Sequence, residues 1–87
     1  MFIAEGRMRG NTGVFVNDTA EDEAEATVAL RHCYQCLRTE GTQIKIARRA
    51  NPEQEEDIRA IINGDYRRKY LVYRLDSGWF IEGLYLP

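Results

Sequence analysis

The residues best suited to chemistry in this chain are two cysteines and a histidine in its first predicted helix. Cys33 and Cys36 have the spacing of a CxxC pair, and the single histidine, His32, precedes them. A reactive CxxC pair gains acidity at the N-terminal end of a helix. Cys33 and Cys36 instead lie well down the helix, and Cys33 falls on its apolar stripe. We interpret both as core residues of a protein from a reducing compartment.

The same side chains are too few for a metal site or a general base. A zinc site needs about four ligands, and successive helical residues such as His32 and Cys33 point about 100° apart. No local motif gives His32 a nucleophile or an orienting partner. The glycine-containing segment 9–13 lacks the lysine of a phosphate-binding loop. We therefore expect no catalytic residue, no metal and no cofactor, and we place His32 at the edge of an apolar face.

Charge is distributed unevenly along the sequence. The net charge is −2, whereas nucleic-acid-binding domains are usually basic. Nine of the 14 acidic residues form two runs: Asp18, Glu21, Asp22, Glu23 and Glu25, and then Glu53, Glu55, Glu56 and Asp57. These runs are either solvated helix starts, where carboxylates favour the helix dipole, or an acidic surface for a basic groove on a partner.

Apolar periodicity in the first half predicts a hairpin followed by a helix. Residues 2–8 and 14–16 have strand character and flank the turn-forming segment 9–13. Asp18 or Thr19 is expected to cap an amphipathic helix over about 19–39, which Gly41 would end. Its apolar line contains Ala26, Leu30, Cys33 and Leu37.

The second half predicts a strand, a short helix and a hairpin. Residues 42–48 alternate, with Ile44 and Ile46 on one buried face. Asn51 and Pro52 start a helix. That helix has an apolar stripe of Ile58, Ile61 and Ile62, and Asn63-Gly64 ends it. Strands at 68–75 and 79–86 then flank Asp76-Ser77-Gly78, which suits a three-residue hairpin loop.

The resulting order ββαβαββ predicts one domain over residues 1–87 of the α+β class. We expect an antiparallel-rich sheet of about five strands. One main helix would pack on one face, accompanied by a second, short helix. The sequence does not fix whether that second helix is packed or mobile.

The C-terminal hairpin is apolar on both of its faces. In a sheet with one solvent-exposed face, apolar and polar side chains should alternate along each strand. Here one face has Leu71, Tyr73 and Leu75, and the other has Tyr70 and Val72. Two interpretations stay open. The second helix and the N-terminal hairpin could close a two-sided core. Alternatively, an aromatic patch stays exposed as an interface for a second copy or another protein.

Composition places the chain among small cytoplasmic proteins. Its 44% hydrophobic and 30% charged residues are typical of globular domains. No apolar run reaches the roughly 20 residues that cross a bilayer, and the N-terminus lacks the pattern of a signal peptide. In size and composition the chain is similar to small accessory proteins of phages and mobile elements, anti-CRISPR proteins among them.

The leading hypothesis is a non-enzymatic protein-binding module that acts by surface contact, such as an inhibitor of a host defence protein. Asp22, Glu23 and Glu25 are the predicted polar contacts, with Trp79 and Tyr85 as apolar anchors. A homodimer fits this hypothesis, and no membrane partner is expected.

The alternative hypothesis is an accessory protein that binds nucleic acid or nucleotides. Five basic residues are its predicted phosphate contacts: Arg48, Arg49, Arg67, Arg68 and Lys69. Nearby tyrosines at positions 66, 70 and 73 would supply stacking surfaces.

Overall fold

An N-terminal hairpin forms one half of the sheet. The computed structural model describes residues 1–37, 43–65 and 69–86, and for residues 33–37 and Gln43 it describes the backbone alone. Strands β1 (Phe2–Met8) and β2 (Asn11–Asn17) pair antiparallel along their whole length. Arg9 and Gly10 connect them with φ of 54° and 82°, as a two-residue type I′ turn requires. The turn is therefore shorter than the predicted segment 9–13.

The remaining strands extend this hairpin on both sides. Two short strands, β3 (Gln43–Ile44) and β4 (Arg48–Arg49), both pair with β1. Strands β5 (Leu71–Leu75) and β6 (Gly78–Glu82) form the C-terminal hairpin, and β6 also pairs with β2. The order across the sheet is β3-β1-β2-β6-β5, with β4 also on β1, and every pairing is antiparallel. The predicted α+β class is confirmed.

Helix α1 (Glu23–Leu37) covers one face of the sheet. Ala26 and Leu30 are fully buried in a first apolar cluster. The other buried members of this cluster are Phe2, Ala4, Met8, Phe15, Ala47, Leu75 and Phe80. The predicted helix end at Gly41 lies outside the described residues.

The start of α1 is later than predicted. Asp22, rather than Asp18 or Thr19, caps the helix, because its Oδ1 accepts a hydrogen bond from the Glu25 N–H at 2.8 Å. The preceding residues are held in a loop by the fully buried Asn17, whose Oδ1 accepts from the N–H groups of Thr19 and Ala20 at 3.2 and 2.9 Å.

Helix α2 (Pro52–Ile62) covers the opposite face. A capping box starts it: Asn51 Oδ1 accepts from the Gln54 N–H at 2.8 Å, and Gln54 Oε1 accepts from the Asn51 N–H at 3.1 Å. Ile58 and Ile61 are 1% and 2% exposed. They belong to a second apolar cluster whose other buried members are Ile3, Val14, Val16, Ala50 and Ile81. The predicted cap and isoleucine stripe are confirmed, and α2 is a packed helix.

The apolar character of both faces of the C-terminal hairpin now has a physical reason. Successive residues of β6, such as Phe80 and Ile81, belong to the first and second clusters respectively, so each helix buries one face. The interpretation of a two-sided core therefore holds for the central strands. Among the residues the structure describes, the large apolar side chains that stay exposed near the hairpin are Leu71 and Tyr85, with 57% and 72% exposure.

The edge formed by β3 and β4 contains a bulge that the sequence does not reveal. Gly6 pairs with Ile44 and Ile3 pairs with Arg48, so this edge carries one more residue than β1 does. The extra residue places Ala47 in the core, where its N–H donates to Thr27 Oγ1 at 2.9 Å. Ile46 is 75% exposed, so its predicted burial beside Ile44 is wrong.

The C-terminal hairpin loop also differs from its prediction. Leu75 pairs directly with Gly78, which leaves the two-residue loop Asp76-Ser77 instead of three residues. Gly78 begins β6 with φ of 155°, and a Cβ there would overlap the Val16 carbonyl oxygen. Glycine is required by this close approach of two backbones.

Candidate functional site

A short segment after β6, residues 84–86, leaves the sheet and lies beside α2; we call it the tail. Gly83 adopts φ of 84° and donates its N–H to the Thr12 carbonyl oxygen at 3.0 Å, which turns the chain out of the sheet. Leu84 and Leu86 pack against the second apolar cluster, while Tyr85 between them stays exposed. The predicted strand over 79–86 is therefore too long.

A groove runs between the tail and α2, and we call it the α2 groove. It consists of two depressions of about 200 and 180 Å³ that share Asp57 and Leu84. Apolar side chains of α2 and the tail line it: Ile58, Ile61, Leu84 and Leu86. Its polar lining includes Glu53, Asp57 and Lys69. The groove thus joins an apolar floor to charged walls.

Two carboxylates lie on the wall that α2 contributes. Glu53 and Asp57 are one helical turn apart, so both face the tail. Both are exposed, and no hydrogen bond or ion pair joins either side chain to another described residue. The sequence predicts these residues either as part of a solvated helix start or as part of an acidic partner surface, and the named polar contacts come from the other acidic run. The i, i+4 spacing of Glu53 and Asp57 on the flank of the isoleucine stripe is the signal that could have indicated a site.

The neighbouring acid Glu55 has a different role. Its Oε1 accepts hydrogen bonds from Arg59 Nε and Nη2 at 3.2 and 2.9 Å, and its Oε2 lies 3.9 Å from the Met1 ammonium. The Arg59 hydrogen bond and then the ammonium charge hold the pKa of Glu55 below its ordinary value. The negative charge of Glu55 is therefore already paired with neighbouring cations, in contrast to the charges of the carboxylates on the groove.

The predicted acidic contacts on α1 do not lie at this groove. Asp22 caps the helix, and Glu25 Oε2 accepts from the Glu21 N–H at 3.2 Å, so both side chains have structural roles. Glu23 is exposed at the same helix end. Because α1 and α2 cover opposite faces, these acids and Tyr85 are on opposite sides of the sheet.

The two predicted aromatic anchors have different environments. Trp79 is half-buried against the second apolar cluster. The Arg74 guanidinium lies 4.4 Å from its ring centroid and also donates to the Gly78 carbonyl oxygen at 2.8 Å. Tyr85 is 72% exposed on the groove. Of the two, Tyr85 alone offers a free ring face to a partner.

The described members of the predicted phosphate set are separated from one another. Arg48 and Arg49 are adjacent in β4 and leave the sheet on opposite faces: Arg48 donates to Gln54 Oε1 at 3.3 Å, and Arg49 lies 4.6 Å from the Phe2 ring centroid. Lys69 lines the α2 groove. Arg67 and Arg68 lie outside the described residues. The described members of this set do not form one basic surface.

Of the residues first considered for chemistry, His32 is the one whose side chain the structure describes. His32 is exposed on α1, and the Cys33 and Cys36 side chains lie outside the described set. No three described metal-binding side chains converge. No described helix has the length and apolarity needed to span a membrane.

Comparison of the chain with protein-family models, with curated proteins and with solved structures found no match. The functional interpretation therefore rests on the geometry of the α2 groove.

Proposed function

We propose that this chain is a protein-binding module whose α2 groove takes a cationic segment of a partner protein, with arginine as its central contact. The observation that carries the proposal is the arrangement of Glu53 and Asp57 beside the exposed ring of Tyr85. A guanidinium can bind a carboxylate through two parallel hydrogen bonds while its plane stacks on an aromatic ring. The groove offers both kinds of contact side by side.

The shape of the groove favours a polypeptide segment over a compact ligand. Two adjoining depressions continue along α2 from Asn51 to Ile61, a distance that matches several residues of extended chain. Its apolar floor suits aliphatic side chains that flank the arginine. Tyrosine is a favoured anchor at protein interfaces, because its large ring loses little conformational entropy on binding.

The narrower role of an inhibitor from a phage or mobile element stays a prediction from chain size and composition. Binding of nucleic acid also stays a prediction, since two of its five proposed contacts, Arg67 and Arg68, lie outside the described residues.

The proposal is tested with short synthetic peptides in which one arginine is flanked by leucines, titrated into the labelled protein and followed by NMR. We expect shifts at Tyr85 and Ile61, and affinity that falls about tenfold in Asp57→Lys because attraction becomes repulsion. Tyr85→Ala should weaken binding by a similar factor. Replacing the peptide arginine with lysine should also weaken it, since lysine cannot stack or bind in the bidentate mode.

Glu56→Lys is the matched control for Asp57→Lys. Glu56 is an exposed neighbour on the same helix that does not line the groove, so the charge change is identical and the position differs. An equal loss of affinity in both variants would mean that only net charge attracts the peptide. Peptides that shift no groove resonance would contradict the proposed function.

A further inference from the structure

The two edges of the sheet differ in how well they are protected from pairing with another strand. On one side, β3 and β4 have two residues each and are separated by the bulge, and exposed cations lie along this edge at Lys45, between the two strands, and at Arg48 in β4. These are common means of blocking an edge. On the other side, β5 is a regular five-residue strand without proline. Among the described residues, no strand pairs with its outer side.

The backbone of β5 has hydrogen-bonding groups that point away from the sheet. In a two-residue hairpin, the closing pair, here Leu75 and Gly78, exchanges hydrogen bonds, and every second pair does the same. The Gly83 N–H, which donates to Thr12 on β2, fits this alternation along β6. The N–H and C=O groups of Val72 and Arg74 therefore face outward.

The side chains of β5 do not guard these groups. Arg74 is the single charged residue of the strand, and its guanidinium lies over Trp79 rather than beyond the edge. Leu71 is 57% exposed. Tyr73 is half-buried with its ring centroid 6.2 Å from that of Phe80. Leu71, Tyr73 and Leu75 lie on one face of β5, so they form a row of apolar side chains along the open edge.

We propose that β5 pairs antiparallel with β5 of a second copy of this chain, about a two-fold axis at Tyr73. Tyr73 is the midpoint of the strand, so this register pairs all five residues and shifted registers pair fewer. Val72 exchanges hydrogen bonds with Arg74 of the second copy. Leu71 lies opposite Leu75 of the second copy, which continues the apolar row across the interface.

We choose a second copy of this chain as the partner of the β5 edge because its row of apolar side chains is complementary to itself. Under two-fold symmetry, Leu71, Tyr73 and Leu75 meet the same three residues in reverse order, so each of these three side chains gains an apolar neighbour. Two sheets then join into one continuous sheet. A five-residue junction is small for an interface, so the dimer is weak and depends on concentration. The proposal is independent of the α2 groove.

Analytical ultracentrifugation over a wide concentration range tests the proposal with Leu71→Lys. In the monomer, Leu71 lies opposite Glu82, so lysine there is compatible with folding. In the dimer it would face Leu75 of the second copy. We expect the dissociation constant to rise about tenfold or more, because symmetry makes each substitution act twice. Val28→Lys is the control, since Val28 is 67% exposed on α1, and it should leave the dimer unchanged.

Oxidation of Tyr73→Cys tests the register. Residues that face each other without exchanging hydrogen bonds have Cα atoms about 4.5 Å apart, which is within disulfide range. We expect mass spectrometry to find a disulfide between the two introduced thiols, and none between the thiols of Val72→Cys, which face Arg74 instead. A protein that stays monomeric at all concentrations, or a dimer indifferent to Leu71→Lys, would overturn the proposal. If Tyr73→Cys fails to fold, the Leu71→Lys result decides alone.

Discussion

Two glycines show how the surroundings of one residue decide its tolerance to substitution. Gly78 and Gly83 both have positive φ, 155° and 84°. A Cβ at Gly78 would overlap the Val16 carbonyl oxygen, whereas one at Gly83 would meet no atom within 4 Å. The first position therefore has both a steric and a conformational requirement for glycine, and the second has only the conformational one.

We expect Gly78→Ala to lower the free energy of unfolding by about 3 kcal/mol or more, because strands β2 and β6 must separate to admit the methyl group. Gly83→Ala should cost only about 1–2 kcal/mol, the penalty for an alanine at positive φ. Urea unfolding followed by Trp79 fluorescence measures both. Equal losses in the two variants would mean that the close approach of Gly78 to Val16 contributes little.

Glu55 provides a prediction of pH dependence. Its pKa is lowered in the folded protein by the Arg59 hydrogen bond and the nearby ammonium. Such a carboxylate stabilises the fold above the pKa it has when unfolded, and this contribution disappears as the pH falls through its folded pKa. Glu55→Gln should therefore be less stable than the parent at neutral pH and equally stable in acid.

The measurement is the difference between the two urea midpoints as a function of pH. The ion pair is exposed, so the difference should be small and should shrink further in high salt. A difference that stays constant from neutral to acidic pH would show that the substitution acts through packing instead of charge.

At the level of single residues, local chemistry was predictable and long-range contacts were not. The Asn51 cap is predictable because Pro52 follows it at the first helical position, and the capping box that the structure adds involves Gln54, only three residues away. Asp22 was missed since Asp18, Thr19 and Asp22 are all suitable caps. Which of the three residues caps α1 depends on the loop held by Asn17. The Nδ2 of Asn17 donates to the carbonyl oxygen of Ser77, sixty residues away.

At the scale of elements, helix α2 is held on the sheet mainly by two buried isoleucines, Ile58 and Ile61. We expect Ile58→Ala to lower the free energy of unfolding by about 2–4 kcal/mol, because Ile58 is 1% exposed and truncation leaves a cavity. Ile46→Ala is the matched control, with 75% exposure and an expected change near zero. Chemical denaturation measures both. A loss at Ile58 no larger than that at Ile46 would mean that α2 is not docked.

The elements that sequence predicted least well are the bulged edge and the tail. Alternation in residues 42–48 assigns Ile46 to the core, but a hydrogen bond from Ala47 to Thr27 on α1 decides the register of that edge. Residues 84–86 continue the apolar pattern of β6, so they look like strand. Gly83 is compatible with a strand that continues or one that ends, and its φ of 84° ends the strand.

For the whole molecule, the sequence predicted the sheet and its two apolar faces but not the candidate site. The faces are encoded locally, since β6 alternates between side chains of the two clusters. The α2 groove joins Glu53 and Asp57 to Tyr85, and these come from segments far apart in the chain. No spacing rule connects them, so the groove required the tertiary structure.

The pairing of β2 with β6 has a consequence for biosynthesis. These central strands come from residues 11–17 and 78–82, so the first hairpin leaves the ribosome long before its neighbour exists. Until then Phe15 and Val16, which are buried in the native fold, lack the strand that completes their layer. The central pairing cannot form until residues 78–82 have been made, and any part of the first hairpin that emerges earlier exposes aggregation-prone apolar surface.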